Sequence, residues 1–268
     1  MKPVDNAPSK TMLAFELPRA ALEYFAGWMS QGHLTSECEK GDGPVIVIPG
    51  LATSDSSTSM LRTFLSSLGY TVSGWNRGMN RGPTGGFDEF LASMLLDVEK
   101  AFNEHGKPVR LLGWSLGGVY VRELAKLAPH MVRQVITLGT PFSGNLADTN
   151  GGKMFEILSR SDCHKDPLLQ RRVARTPSVP TVSIYSKTDG IVAWQCCLNP
   201  KMGHTENVEM SSVCHLGLVT SPAVFRVIAH RMSAVAEKDA AVEVTKIESG
   251  KVIQVEFRAA ARKLRRAA

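Results

Sequence analysis

The sequence lacks the features that define several large protein classes. No apolar run approaches the roughly 20 residues of a membrane-spanning helix, and Asp5, Glu16 and Glu23 interrupt every apolar stretch near the N-terminus. We therefore expect neither a membrane span nor a signal peptide. The 268 residues, 43% hydrophobic and 21% charged, have the composition of a soluble globular chain. That length fits one large α/β domain.

Cysteine is scarce, and its spacing matches neither a disulfide framework nor a metal site. Of the five cysteines, Cys196 and Cys197 are adjacent, where a disulfide would be strained. Neither this pair nor Cys163-His164 has partners at metal-ligand spacing, so no metal is expected. Reduced thiols and a cytoplasmic location follow. Residues 82–86 are rich in glycine but lack the Lys-Ser/Thr of a phosphate loop, and no cofactor is implied.

Net charge is nearly absent from the body of the chain, and the excess of basic residues is concentrated at its end. The net charge is +6, and residues 258–268 carry five basic residues and no acid. The near neutrality of the remainder disfavours nucleic acid as a partner. The tail is interpreted either as a solvated end or as a peripheral contact with an anionic lipid surface, whose strength would fall as salt rises.

Short β-rich runs alternate with amphipathic stretches over most of the chain. Strands separated by helices imply right-handed crossovers, so the alternation predicts a doubly wound, mostly parallel sheet. The predicted strands are residues 45–48, 70–75, 109–112, 132–138, 179–185 and 208–213, and the predicted helices are residues 56–68, 87–105, 115–128 and 221–236.

Three segments fall outside this alternation. An apolar series predicts an amphipathic helix over residues 10–30, which we interpret as packing against the body rather than as a membrane anchor. Residues 142–178 form an insertion long enough for a lid or binding loop, a disordered loop being the alternative. The main domain would span residues 1–236, and residues 237–268 predict a C-terminal β-hairpin followed by a basic helix. The apolar series is Leu13, Leu17, Leu22, Phe25, Ala26 and Met29, and the hairpin would pair Val242 and Val244 with Ile253, Val255 and Phe257.

The sequence Gly-Trp-Ser-Leu-Gly at residues 113–117 joins a predicted strand to a predicted helix. Glycines on both sides of Ser115 permit the sharp turn that exposes a nucleophilic serine at the end of a strand. A serine that merely caps the helix is the alternative. We predict that Ser115 is a catalytic nucleophile.

A serine hydroxyl needs a base, and that base needs a carboxylate to orient it. Asp189 follows the predicted strand at 179–185, and His215 comes after the strand predicted at 208–213, near the edge of the sheet where active sites of parallel sheets gather. We predict that these two residues complete a catalytic triad with Ser115. The alternatives in the required order are Asp162 and Asp166 for the acid, and His204 and His230 for the base.

Acyl transfer also requires N–H donors for the developing oxyanion. The amide of Leu116, directly after the nucleophile, would be one donor. The amide of Leu51, after the first strand, would be the other, with Gly50 or Ala52 as alternatives one position away.

Together these residues resemble the α/β-hydrolases, and among them the bacterial lipases and esterases, over roughly residues 40–236. The resemblance rests on the elbow at 113–117, the stretch at 138–142, Asp189 and His215. Many of these lipases have His-Gly where this chain has Pro49-Gly50. The loop at 74–83 also resembles theirs, and its arginines are candidate anion ligands.

The resemblance implies hydrolysis of carboxylic esters through an acyl-enzyme. The apolar insertion would then supply an acyl pocket for lipid-like or medium-chain groups, with Trp114, Met154, Phe155 and Leu158 as candidate substrate-binding residues. An acyltransferase or thioesterase with the same triad remains open, because the triad does not specify the acceptor. A non-catalytic binding module that uses the basic tail is the alternative from another class, and Cys214 is a rival nucleophile.

Overall fold

The computed structural model describes residues 8–83, 85–143 and 166–248, and of residues 236–248 only the backbone. Helices and strands alternate over these residues, with a short 3-10 turn at Asp55–Thr58 before the second helix. The strands are β1 (Pro44–Ile48), β2 (Thr71–Ser73), β3 (Val109–Trp114), β4 (Val132–Leu138), β5 (Thr181–Tyr185) and β6 (Thr205–Glu209), and the helices are α1 (Lys10–Glu37), α2 (Ser59–Ser67), α3 (Phe87–His105), α4 (Leu116–Leu127), α5 (Pro167–Ala174) and α6 (Pro222–Glu248).

The strands form one six-stranded sheet in the order β2-β1-β3-β4-β5-β6, and every pair is parallel. The prediction of a doubly wound parallel sheet is therefore confirmed. The chain winds in one direction from β1 to β2 and in the other from β3 onward, so β1 and β3 flank the topological switch point. In such sheets a ligand crevice opens at the carboxyl ends of the two strands on either side of that point.

Alternate residues of the central strands enter two separate cores, which is why these strands are apolar on both faces. On β1, Val45 and Val47 pack with α2, α6 and Leu34 of α1, whereas Ile46 and Ile48 pack with α3 and α4. Helices thus cover both faces of the sheet. The loops at the carboxyl ends of the strands are left to form a site.

The sixth strand begins and ends earlier than predicted. The prediction placed it at residues 208–213, but β6 ends at Glu209 because its partner β5 ends at Tyr185, and the two final residues pair with each other. His215 consequently follows a five-residue loop instead of a strand end. The misplacement has a simple origin, since the exposed edge strand is polar and carries little of the apolar signal used to find strands.

The N-terminal helix forms as predicted, but the face that packs against the body is not the predicted apolar face. Charged residues face the body, with Glu16 only 2% exposed. The interpretation of the apolar series as the packing face was therefore wrong. Favourable pairing of its few charged residues with loop backbone outweighs apolar burial on this helix. The large side chains that face outward are Leu13, Phe15, Leu17, Leu22, Tyr24, Phe25, Trp28 and Met29.

The predicted C-terminal hairpin is also wrong in its first strand. The backbone around Val242 and Val244 continues α6 as helix to Glu248. This stretch is rich in alanine, glutamate and lysine, which favour continuation of an existing helix over an isolated strand. The second predicted strand and the basic tail lie outside the described residues.

Only the end of the predicted insertion is described. It contains α5, and Arg172 of this helix pairs with Glu123 of α4 at 2.8 Å and with Asp88 of α3 at 2.5 Å. Arg172, which belongs to the basic run of the insertion, thus holds α5 against α3 and α4. Among the described residues, no helix is both long enough and apolar enough to cross a membrane.

Candidate active site

Ser115 lies at the turn between β3 and α4 in a backbone conformation that few residues adopt. Its φ is 52° and its ψ is −123°, a strained combination for a residue with a side chain. The turn is held because the Ser115 amide donates to the Leu138 carbonyl at 2.8 Å, and the Ser115 carbonyl accepts from Gly118 at 3.0 Å. The geometry matches the expected strand-to-helix elbow.

The glycines around this serine are required by close approach of the backbone. A Cβ on Gly113 would lie 2.4 Å from the Gly117 carbonyl oxygen, and a Cβ on Gly117 would lie 2.4 Å from the carbonyl oxygen of Ile48. Both distances are far below van der Waals contact. The elbow therefore depends on these glycines for space, and Gly117 lets α4 begin against the end of β1.

Asp189 and His215 form a buried pair. Asp189 Oδ2 and His215 Nδ1 are 2.6 Å apart, and the two residues are 3% and 2% exposed. The other carboxylate oxygen of Asp189 accepts from the amides of Ile191 and Val192 at 2.8 and 2.7 Å. The carboxylate is thus held in place and bonds Nδ1 of the ring. The other ring nitrogen, Nε2, is left available for proton transfer.

The pKa of His215 is raised above its ordinary value. Burial acts to lower it, but the negative charge of Asp189, the hydrogen bond between the two side chains and the charge of Glu16 outweigh burial. The imidazolium form is therefore favoured relative to a free histidine. This is the electrostatic arrangement that stabilises a general base once it has accepted a proton.

His215 lies close to the ends of β3 and β4, beside Ser115, the predicted nucleophile. A Cβ on Gly139 would lie 3.0 Å from His215 Nδ1, and Trp114 Nε1 donates to the His215 carbonyl at 3.1 Å. No hydrogen bond joins Ser115 Oγ to the His215 ring. Such bonds in enzymes commonly tighten only in the substrate complex.

Trp114 supports the base instead of facing an open pocket. Its side chain is 3% exposed, and its ring centroid lies 5.6 Å from that of His215. The side chain is thus enclosed beside His215, and substrate binding by Trp114 stays a prediction. The other predicted substrate-binding residues, Met154, Phe155 and Leu158, lie outside the described residues.

The loop after β1 lies beside the nucleophile, as the predicted oxyanion hole requires. A Cβ on Gly50 would lie 3.1 Å from Ser115 Cβ. Ala52, an alternative donor, is excluded because its amide donates to the Asn80 carbonyl at 2.7 Å. Leu51 is half-buried between these two positions, and Leu116 is the first residue of α4. The first amides of a helix have no acceptor within it, so the Leu116 amide is available.

Asn80 holds the loop after β1 in place, and sequence reasoning missed it. This residue is 0% exposed. Its side-chain amide donates to the Pro49 carbonyl at 2.9 Å, and its backbone amide donates to the Thr53 carbonyl at 2.7 Å. The side-chain oxygen accepts from the Gly82 amide at 3.1 Å. The only trace of this role in the sequence is an asparagine within a glycine-rich loop.

A second missed group comes from α1. Glu16, Arg19 and Glu23 all contact the loops that carry the acid and the base. The prediction treated this helix as a packing element through its apolar side chains and gave its charges no role. An acid–base pattern at steps of three and four along the helix was the available signal.

The alternative triad members have other roles. Asp166 caps α5 by accepting from the Leu168 amide at 2.8 Å, and His204 is bonded to the Pro177 carbonyl. His230 lies exposed on α6 beside Arg231. Asp162 lies outside the described residues. Among the candidates that the structure describes, Asp189 and His215 are thus the carboxylate and the histidine that it brings together.

The cysteine alternative is not favoured, and Arg77, one of the two candidate arginines, already has a partner, whereas Arg81 is exposed. Burial first, and then the charges of Glu16 and Glu23, raise the pKa of Cys214 to about 12, so its thiol stays protonated and poorly nucleophilic. Arg77 pairs with Asp97 at 2.6 Å and is not free to bind an anion. Within residues 8–83, 85–143 and 166–248, His, Cys, Asp and Glu form no metal-binding cluster.

Comparison with solved structures identifies the fold. A metagenome-derived lipolytic enzyme from the work on LipS and LipT is 14% identical, with a TM-score of 0.55 and coverage of 75% of this chain and 95% of its own. A soluble variant of monoglyceride lipase from Saccharomyces cerevisiae is 14% identical, with a TM-score of 0.53 and coverage of 74% and 87%. Aspergillus fumigatus lipase B is 16% identical, with a TM-score of 0.53 and coverage of 72% and 54%.

These similarities establish the α/β-hydrolase fold for this chain. The same fold also occurs in BpoC of Mycobacterium tuberculosis, named as a non-heme bromoperoxidase, at 15% identity and a TM-score of 0.50. No protein-family model matches the sequence, and no curated protein does either. Because one fold hosts several chemistries, the function must be argued from the site itself.

Proposed function

We propose that this protein is a serine hydrolase that cleaves carboxylic esters through an acyl-enzyme. The observation that carries the proposal is the buried Asp189–His215 pair, at 2.6 Å, next to a serine in a strained strand-to-helix turn. Strain at Ser115 and burial of the Asp189 carboxylate with its histidine partner both reduce stability, so their coincidence at one edge of the sheet favours catalysis.

The reaction begins when Ser115 Oγ attacks the ester carbonyl carbon and His215 Nε2 accepts the hydroxyl proton. Asp189 remains ionised, orients the ring through Nδ1 and stabilises the imidazolium. The resulting oxyanion accepts hydrogen bonds from the amides of Leu51 and Leu116. Collapse of this intermediate breaks the bond to the alcohol, which takes the proton from His215, and leaves an acyl group on Ser115.

Water completes the cycle. His215 removes a proton from the attacking water, a second oxyanion forms in the same position, and the acid is released as Ser115 recovers its proton. A thioester would react by the same steps with a thiol as the leaving group. An alcohol or amine in place of water would make the protein an acyltransferase, and the three residues alone do not select among these acceptors.

The substrate class is proposed from the resemblance and from the neighbours. Lipolytic and monoglyceride lipase structures share the fold, and the insertion at 142–178 contains apolar residues suited to an acyl chain. We therefore favour small-molecule or lipid-like esters. The proposals of a cytoplasmic location and of a tail that contacts anionic lipid rest on the sequence alone.

The test is hydrolysis of p-nitrophenyl esters of graded chain length by the wild-type protein and by Ser115→Ala. We expect the wild type to release p-nitrophenol with saturation kinetics and Ser115→Ala to fall to background. Ser93→Ala, which alters an exposed serine of α3, is the matched control and should retain full activity. Equal activity of Ser115→Ala and the wild type would refute the proposal.

A further inference from the structure

Glu16 is a buried carboxylate with an unusual set of partners. Its Oε1 accepts from the Gly190 amide at 2.6 Å and from the His215 amide at 3.1 Å. Its Oε2 accepts from the Leu216 amide at 3.3 Å. Burial of a charged group is costly unless it is hydrogen-bonded, and three backbone donors satisfy this carboxylate.

These partners belong to two separate loops. Gly190 directly follows the acid of the proposed triad, and His215 is its base, so one carboxylate oxygen bonds both loops at once. The parallel pairing of β5 with β6 ends at Glu209, and one further backbone bond joins Met210 to Tyr185. Beyond that point Glu16 is a direct link between the loop of the acid and the loop of the base.

The rest of the inner face of α1 supports the same contact. Arg19 donates to the Thr188 carbonyl at 2.8 Å and to the Ser212 carbonyl at 3.0 Å, and therefore also bridges the two loops. Glu23 accepts from the Cys214 amide at 3.0 Å. The helix approaches closely enough that a Cβ on Gly190 would lie 2.6 Å from the Met12 backbone.

We propose that Glu16 is a positioning residue for catalysis, which fixes the loop of Asp189 against the backbone of His215 and so sets the geometry of the acid–base pair. This inference rests on the proposed function of the triad. The Asp189–His215 contact joins two side chains on loops that follow different strands. A fixed distance between these side chains requires a fixed distance between their backbones. The Glu16 carboxylate supplies it together with Arg19 and with the bond that Thr188 Oγ1 donates to the Val213 carbonyl at 3.2 Å, and only Glu16 bonds the His215 amide itself.

The charge of Glu16 acts on the base as well. Asp189 and Glu16 are the anionic groups whose charges raise the pKa of His215, against the lowering effect of its burial. Glu23 and Arg19 lie on the same face of α1, one anionic and one cationic, and contact the neighbouring backbone. Loss of the Glu16 charge should therefore lower the pKa of His215.

Three substitutions separate position from charge. Glu16→Gln keeps the shape and an acceptor oxygen but removes the charge and presents a donor to one of the three amides. Glu16→Asp keeps the charge on a side chain one methylene shorter. Glu16→Ala removes all three bonds. Glu37→Gln is the matched control, because Glu37 is an exposed carboxylate at the other end of α1, paired with Arg226 and away from the site.

The readouts are kcat, KM and the pH dependence of kcat/KM on a p-nitrophenyl ester, with thermal unfolding of each variant. We expect kcat to fall about tenfold in Glu16→Gln and about 100-fold in Glu16→Ala, with KM close to that of the wild type. The acid limb of the pH profile of kcat/KM should move to lower pH in Glu16→Gln and less so in Glu16→Asp. The kcat of Glu16→Asp should still fall. Glu37→Gln should match the wild type in every respect.

A folded Glu16 variant with wild-type kcat and an unmoved acid limb would overturn the proposal. Failure of all three variants to fold would also overturn it, because Glu16 would then be an anchor of the whole fold and not of the catalytic geometry. An inactive wild-type protein whose Ser115 takes no phosphonate would instead refute the proposed function. The two failures are therefore distinguishable.

Discussion

Replacement of Asn80 by alanine tests whether the loop after β1 supplies the oxyanion hole. The substitution removes the bond from the Asn80 side chain to the Pro49 carbonyl at 2.9 Å and the bond that it accepts from the Gly82 amide at 3.1 Å. Because Asn80 is 0% exposed, water cannot easily replace either partner. An unsatisfied buried group costs about 1–3 kcal/mol, and two groups lose their partner, so the free energy of unfolding should fall by roughly 2–6 kcal/mol.

The effect on catalysis follows from the position of the loop. The Asn80 side chain bonds the carbonyl of Pro49, two residues before the predicted donor Leu51. Complete loss of one oxyanion donor lowers kcat by about 100- to 1,000-fold, and that range sets the upper limit for Asn80→Ala. We expect a loss of kcat within this limit and little change in KM, because the donor acts on the transition state more than on bound ester.

The assay combines ester hydrolysis with urea unfolding. Asn103→Ala, which alters an exposed asparagine of α3, is the matched control and should change neither property. An Asn80→Ala variant that loses stability but keeps the wild-type kcat would refute the assignment of an oxyanion donor to the loop after β1. The loop would then be structural, and the oxyanion donor would have to come from elsewhere.

Three further predictions concern the triad and its surroundings. Asp189→Asn should fold normally but lose about 10,000-fold in kcat, because an amide favours the wrong tautomer of His215; circular dichroism and ester hydrolysis check both parts, and a loss below tenfold would contradict it. The acid limb of wild-type kcat/KM should lie above 6.5, the ordinary pKa of histidine, because the pKa of His215 is raised and only neutral imidazole accepts the proton; a limb at or below 6.5 would contradict this. Cys214→Ala should keep near wild-type kcat, because a thiol whose pKa is raised to about 12 is not the nucleophile; an inactive but folded variant would restore the thiol alternative.

The parallel sheet and the elbow could be predicted because their signals are local. An apolar strand buried on both faces is a short continuous run, and the elbow is a contiguous motif whose Gly113 is required by a backbone contact within the same turn. The order of Ser115, Asp189 and His215 along the chain follows from the winding of the sheet. Such features need no knowledge of what packs from a distance.

The features that the sequence did not predict depend on distant contacts. Glu16 bonds an amide 199 residues away, and no pattern within α1 reveals that partner. The same contact explains why the helix turns its charges inward, which hydrophobic periodicity alone could not anticipate. In the sequence, Asn80 is one polar residue in a loop. Its role depends on the loop after β1, which packs against it only in the folded chain. The end of β6 is likewise set by the length of β5.

The central claim is that Ser115 is an activated nucleophile, and labelling by an active-site-directed phosphonate tests it most directly. The account predicts one covalent adduct per folded molecule, located on Ser115 by peptide mass spectrometry, formed faster as His215 loses its proton and abolished by denaturation before labelling. A folded protein that forms no adduct, or forms one on another residue, would contradict the account.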